Sequence, residues 1–173
     1  GGMYISHMRS EGDKLLDALD ELLLIAEKAK IPAEIYHLKA SRKPNWHLLD
    51  TVITRVEKAR AKGLRITADM YTYNASSTGL TGVIPTWVQE GGHKAWIDRM
   101  KQAEPRKRLL VDIRKELAHQ PPSGILMVGF KNAEMAKKYR GKTVAEAAEM
   151  RNQSPADAII DMIIEDDSRI QCI

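Results

Sequence analysis

Short apolar runs alternate with longer amphipathic stretches over the first 71 residues of the chain. In the longer stretches, apolar side chains recur three and four positions apart, which is the spacing of one buried helix face. The pattern predicts helices over residues 13–30 and 46–62, and strands over residues 3–6, 33–37 and 65–70. Strand, helix, strand, helix, strand with short connections is typical of a parallel β-sheet.

A different pattern follows Tyr71. Residues 74–90 are rich in Ser, Thr, Gly and Pro, a composition that favours turns, so we predict a long loop there. Thr143 with Glu146 resembles a capping box, and Ser154 precedes a proline at a first helical position. Helices are therefore predicted on either side of Pro105 within residues 91–120, after Thr143, and over residues 155–165, with a strand within residues 124–130, while residues 132–140 are ambiguous.

Composition argues against several classes of function. The 27 Lys and Arg residues are scattered among 23 acidic residues, so the net charge of +4 forms no phosphate-tracking stripe, and we expect no nucleic-acid partner. No apolar run approaches the roughly 18 residues that a membrane span needs. The single cysteine, Cys172, excludes an internal disulfide framework and fits a reducing compartment. We expect a cytoplasmic protein with no membrane partner.

Two of the five histidines stand out because each closes a predicted strand. His7 and His37 lie thirty residues apart, about one strand-helix-strand unit, so their side chains should emerge side by side at the carboxyl edge of the sheet. Neighbouring strands lie roughly 4.8 Å apart, and two imidazoles at that separation can reach one metal ion or two adjacent ions. From the residues alone, a metal site and hydrogen-bonded structural histidines both remain open. We expect surface or packing roles for His47, His93 and His119.

Three strings around this histidine pair occur in the order of a known enzyme family. They are Gly-Gly-Met-Tyr-Ile-Ser-His-Met-Arg-Ser-Glu-Gly at the start of the chain, Tyr-His-Leu-Lys followed by Pro44-Asn45-Trp46, and Ala-Asp-Met-Tyr-Thr-Tyr with Ala75-Ser76-Ser77-Thr78. With looser matches in residues 87–92 and 127–130, the chain resembles the N-acyl-D-amino-acid deacylases (D-aminoacylases) of the metal-dependent amidohydrolase superfamily.

This resemblance implies an α/β fold, a partial TIM-type (β/α)8 barrel of about strands 5 to 7 with a mostly helical insertion. Residues 1–74 would form the barrel β/α units that carry the metal histidines, and residues 75–150 the loop and helical insertion. Residues 151–173 would form the resumed barrel helix and the start of the next strand. The implied activity is zinc-dependent hydrolysis of N-acyl-D-amino acids to a carboxylate and a free D-amino acid, with one or two zinc ions per complete site.

The resemblance also implies roles for individual residues. His7 and His37 match the metal-binding histidines of the fifth and sixth barrel strands. Lys39 matches the lysine that pairs with the free carboxylate of the substrate. Tyr71, the implied catalytic residue, matches the first tyrosine of a Tyr-Pro-Tyr motif whose hydroxyl polarises the scissile carbonyl. Thr72 replaces the proline of that motif. As alternatives to these roles, Lys39 could be a solvated loop residue and Tyr71 could only pack in the core.

Other parts of the family's site are unassigned or absent. Arg9, Glu11 and Asp69 stand inside the motifs, and their roles stay open between orienting ligands, closing ion pairs and, for Glu11, capping the next helix. The family's His-x-His pair and catalytic aspartate cannot be located, and Cys172 lies in the wrong context for the metal-bridging cysteine. We therefore expect a fragment, inactive in isolation, whose partners are the missing barrel strands of the parent chain.

Three alternative functions remain. A related amidohydrolase of the hydantoinase or dihydropyrimidinase type would act on cyclic amides, which lack the free carboxylate that Lys39 should bind. A truncated, non-catalytic segment would also fit the missing ligands. A doubly wound nucleotide-binding fold shares the strand-helix order, but it needs a glycine-rich phosphate loop after its first strand, and the chain has none there.

Overall fold

Three short parallel strands form the first sheet of the protein, in the order β1–β2–β3. In the computed structural model, which describes residues 1–173, these strands are β1 (Tyr4–Ser6), β2 (Ala33–Ile35) and β3 (Ile66–Ala68). Helix α1 (Leu15–Ala29) connects β1 to β2, and a 3-10 helix (Lys43–Leu48) followed by α2 (Leu49–Ala61) connects β2 to β3. The predicted order of strands and helices is confirmed for this unit, Gly1–Tyr73.

The helices of the first unit cover one face of the sheet. A single core buries the following residues of α1, α2, β2 and β3: Leu15, Leu19, Leu22, Val52, Ala33, Ile35 and Ile66. Successive side chains of a strand point to opposite faces. The register aligns Ile5, Glu34 and Thr67 on the other face, where Ile5 is 53% exposed. Helices therefore shield only the face that carries Ala33 and Ile35.

Both predicted helices of this unit form, with boundaries set by local backbone geometry. Helix α1 ends where Lys30 adopts a left-handed conformation, with φ of 55°, and its N–H donates to the carbonyls of Ala26 and Glu27. The segment around Trp46, predicted to be α-helical, is a 3-10 helix. Gly63, with φ of 93°, follows α2 as the predicted stop.

The second unit, Asn74–Ile173, contains six α-helices and an antiparallel sheet of three strands. The helices are α3 (Thr86–Gln89), α4 (His93–Lys101), α5 (Ala103–His119), α6 (Ala133–Tyr139), α7 (Val144–Met150) and α8 (Pro155–Asp166). The strands are β4 (Thr78–Gly79), β5 (Met127–Gly129) and β6 (Gln171–Cys172), in the order β4–β6–β5. Ile159, Ile160, Met162 and Ile163 of α8 are fully buried in the core of this unit. None of the helices of either unit is both long and apolar enough to cross a membrane.

The prediction of a long loop over residues 74–90 is wrong. This segment contains β4, a 3-10 helix at Leu80–Val83, and α3, and it buries Leu80 and Val83. Turn-forming composition therefore did not prevent regular structure where apolar side chains could pack.

Pro105 was predicted to separate two helices, but it lies in the first turn of α5. The N–H that proline lacks has no intrahelical partner in a first turn.

Side-chain caps mark three helix starts in the second unit. The capping box of Thr143 and Glu146 is confirmed, and Ser154 caps α8. Residues 132–140, which the sequence left ambiguous, contain α6, and the side chain of Asn132 accepts from the backbone amides of its first turn.

The last strand lies in the antiparallel sheet of the second unit. We expected residues 151–173 to resume the barrel, but β6 pairs antiparallel with both β4 and β5. An apolar run predicts a strand without predicting its direction, and here the direction is set by partners that lie within residues 75–150.

Core burial in the first unit predicts unequal effects of two leucine substitutions on the same helix. Leu19 is fully buried, whereas Leu24 is 52% exposed. We expect Leu19→Ala to lower the free energy of unfolding by about 2–5 kcal/mol because it leaves a cavity, and Leu24→Ala to change it by less than about 0.5 kcal/mol. Urea denaturation of both variants measures the difference, and equal effects would contradict the assigned core.

Candidate metal centre

His7 and His37 meet at the carboxyl edge of the parallel sheet. His7 directly follows β1, and His37 lies two residues beyond β2, whose last residue, Ile35, is in register with Ser6. The His7 Nδ1 and His37 Nε2 atoms are 3.0 Å apart, and the ring centroids are 4.7 Å apart. Parallel pairing thus brings together two imidazoles that are thirty positions apart in the sequence.

The turn that presents His37 has an unusual backbone. His37 adopts a φ of 41°, in the left-handed region that only a few per cent of residues other than glycine enter, histidine among the more frequent of them. Its N–H donates to Asp69 Oδ1 at 2.5 Å, and its carbonyl accepts from Lys39 Nζ at 2.9 Å. Asp69 directly follows β3. Asp69, just after β3, therefore holds His37, just after β2, in place. The sequence had left the role of Asp69 open.

Lys39 lies beside the imidazole pair. Its Nζ is 2.8 Å from His37 Nδ1 and 2.7 Å from Glu11 Oε1. The same ammonium lies over the ring of Tyr71, 5.4 Å from its centroid. The structure therefore gathers the four residues that the resemblance singled out, His7, His37, Lys39 and Tyr71, at one edge of the first sheet.

Glu11 is an acidic group of this cluster whose role the sequence left open. Its Oε1 lies 3.5 Å from His7 Nδ1 and 2.9 Å from His37 Nδ1. With the two histidines it offers three ligand atoms within 4.8 Å of one another. Its place in the first motif, four residues after His7, was the only available signal. Arg9 points elsewhere, because it pairs with Glu21 of α1, which raises the pKa of Arg9.

The donor set fits zinc. Zinc in proteins is tetrahedral with Zn–N bonds of about 2.0–2.1 Å, which places two ligating nitrogens about 3.3 Å apart. The facing nitrogens of His7 and His37, at 3.0 Å, come close to that separation. Imidazole nitrogen is a common zinc ligand, so the two histidines suit this ion.

The other three histidines are not members of the group formed by His7, Glu11 and His37. His47 and His119 are exposed. His93 Nε2 is 2.8 Å from Asp167 Oδ1, and its ring packs edge-on against Trp96. Hydrogen bonds from Lys131 and His93 lower the pKa of Asp167 to about 2.

Cys172 is a buried core residue. It is 2% exposed in the second unit, and burial raises the pKa of its thiol to about 12. Metals bind the thiolate form of cysteine. Its environment therefore does not favour metal binding.

Two curated relatives, both from Alcaligenes xylosoxydans xylosoxydans, are similar to this chain in sequence. An N-acyl-D-glutamate deacylase is 32% identical over 78 residues, which is 45% of this chain. A D-aminoacylase is 30% identical over 133 residues, which is 72% of this chain. The resemblance to the N-acyl-D-amino-acid deacylase family is confirmed. The chain spans only 16% and 27% of the lengths of these two relatives. No family model matches the chain.

A solved structure shares the fold. It is an N-acyl-D-glutamate deacylase from Bordetella bronchiseptica, complexed with zinc and a phosphonate inhibitor that mimics the tetrahedral intermediate of the reaction. The TM-score is 0.66 at 17% identity, and the match covers 98% of this chain and 27% of that one. The chain therefore has the helix-rich α/β fold of a segment of this deacylase, which confirms the predicted α/β class.

Proposed function

We propose that this chain carries the central part of the catalytic domain of a zinc-dependent N-acyl-D-amino-acid deacylase. The observation that carries the proposal is the 3.0 Å approach of His7 Nδ1 and His37 Nε2 from adjacent parallel strands, with Lys39 and Tyr71 beside them. The likeness to deacylases in sequence and fold supports it.

The sheet of the first unit is proposed to form about strands 5 to 7 of a (β/α)8 barrel. Parallel sheets have both faces covered, by helices on both sides in doubly wound folds or by helices outside and packed side chains inside in barrels. Here α1 and α2 cover one face only. The face with Ile5, Glu34 and Thr67 would be the barrel interior, and the partners that complete it would be the missing strands of the parent chain.

Four residues of the cluster have a place in the proposed reaction. His7 and His37 would hold the metal, which would supply a water of pKa about 7 and a Lewis acid for the amide carbonyl. The ammonium of Lys39 binds the free carboxylate of the substrate and so orients the scissile amide. The hydroxyl of Tyr71 donates to the carbonyl oxygen as negative charge develops on it.

A cavity of 590 Å³ adjoins Lys39 and offers room for an organic substrate. Its lining is mostly apolar and includes Trp46, Leu49, Ile53 and Met70, with Asp69 as the acidic member. Such a lining suits the acyl chain or an apolar side chain of an N-acyl amino acid, which supports a substrate with both a carboxylate and an apolar part.

Metal binding tests the site in this chain directly. We expect His7→Ala and His37→Ala each to weaken zinc binding by at least about tenfold, since even partners outside the ligand set cost that much when removed. His47→Ala, at an exposed histidine, should leave the affinity unchanged. Titration calorimetry with ZnCl2 measures all three, and equal loss in the His47 variant, or none in the other two, would contradict the assignment.

Substrate preference tests the activity in the full-length protein that contains this segment. We expect hydrolysis of N-acetyl-D-amino acids but not of hydantoins or dihydropyrimidines. Lys39→Met should raise KM for N-acetyl-D-amino acids by about 10–100-fold, because it removes a charge-assisted hydrogen bond. Turnover of cyclic amides that is insensitive to Lys39→Met would identify the cyclic-amide enzyme instead, and no turnover of either class would identify a non-catalytic segment.

A further inference from the structure

Lys39 has two of its three hydrogen-bond donors engaged within the cluster. An ammonium carries three N–H donors. Lys39 Nζ donates to Glu11 Oε1 at 2.7 Å and to the His37 carbonyl at 2.9 Å. His37 Nδ1, at 2.8 Å, carries the proton of the neutral imidazole when Nε2 binds a metal, so it is not a third acceptor. One N–H of Lys39 is therefore left for a substrate carboxylate, and the position of Nζ depends on the two acceptors.

Glu11 is the charged one of these two acceptors, and further contacts fix its position. Its side chain is 14% exposed, its backbone carbonyl accepts from Ser41 N at 2.7 Å, and Ser41 Oγ donates to its Oε2 at 3.4 Å. Glu11 thus hydrogen-bonds to the loop that carries Lys39 through both its backbone carbonyl and its side chain. The ion pair is partly shielded from water, since the Lys39 side chain is 29% exposed.

Two features argue that Glu11 serves Lys39 and does not serve as a metal ligand. The nitrogens that face each other are His7 Nδ1 and His37 Nε2, whereas Glu11 Oε1 lies nearer to the other nitrogen of His37, at 2.9 Å. The carboxylate is also already neutralised by an ammonium at 2.7 Å. An unpaired Lys39 would instead place a positive charge 2.8 Å from a ring that has to hold a cation.

We infer that Glu11 is a positioning residue that holds Lys39 and balances its charge, so that His7 and His37 can bind a metal cation beside an ammonium. This inference rests on the proposed metal site and deepens it. It assigns the metal to His7 and His37, the substrate carboxylate to Lys39, and the positioning of Lys39 to Glu11.

A double-mutant cycle tests the inference in the whole chain, with Glu11→Gln, Lys39→Met and the double variant. In EDTA, Glu11→Gln should lower the urea midpoint of the wild type and have little effect in the Lys39→Met background. Glu104 and Lys107 are a matched control, since they form a Glu–Lys contact of the same 2.7 Å but are 81% and 72% exposed. The corresponding cycle there should show almost no coupling.

Cobalt(II) binding, followed by its visible absorption, distinguishes positioning from ligation. Glu11→Gln should weaken Co²⁺ binding by about tenfold in the wild type, because it leaves the ammonium uncompensated. In the Lys39→Met background the same substitution should change neither the affinity nor the band intensities. Equal weakening in both backgrounds, with altered bands, would make Glu11 a ligand and overturn the inference.

Different results would contradict the positioning role of Glu11 and the proposed metal site. Additive effects of Glu11→Gln and Lys39→Met on the urea midpoint would overturn the positioning role, whatever the metal does. If His7→Ala left Co²⁺ binding unchanged, or if the wild type bound no Co²⁺, the proposed function would be contradicted. The coupling measured in EDTA would still decide whether Glu11 positions Lys39.

Discussion

The parallel register of β1, β2 and β3 is the constraint on which the candidate site depends. Ser6, Ile35 and Ala68 are in register, so the residues that follow each strand converge on one edge of the sheet. His7, His37 and Asp69 come from three successive strand ends, and His37 contacts both of the others, His7 through its ring and Asp69 through its backbone N–H. A shift of one residue in either pairing would send these groups to opposite faces.

The electrostatics of the cluster follow from this geometry. Each of two imidazoles, an ammonium and a carboxylate lies within hydrogen-bonding distance of at least one of the others, and the formal charges of Lys39 and Glu11 cancel. Because the two charges cancel, a metal cation can bind next to Lys39 with little repulsion. Lys39 also stays in position to bind an anionic group of a substrate. The left-handed turn at His37 supports the same arrangement, since its N–H and carbonyl are held by Asp69 and Lys39.

Much of the first unit could be predicted from periodicity, because its helices and strands bury one face each and its connections are short. The meeting of His7 and His37 followed from that order of elements. The contact between Glu11 and Lys39 could not be predicted, because it joins two loops and depends on how each leaves its strand. In the second unit, Asn132 is a residue type that favours helix N-termini, so the start of α6 could have been predicted from the sequence. The direction of β6 could not be predicted from the sequence, since it depends on pairing with β4 and β5.

X-ray absorption at the zinc edge of the zinc-loaded chain shows whether His7 and His37 jointly hold one metal ion. We expect a nitrogen and oxygen shell at about 2.0–2.1 Å with the multiple scattering of two imidazoles, reduced to one in His7→Ala, and no sulfur shell at about 2.3 Å. A sulfur shell from Cys172, or imidazole scattering that is unchanged in His7→Ala, would contradict it.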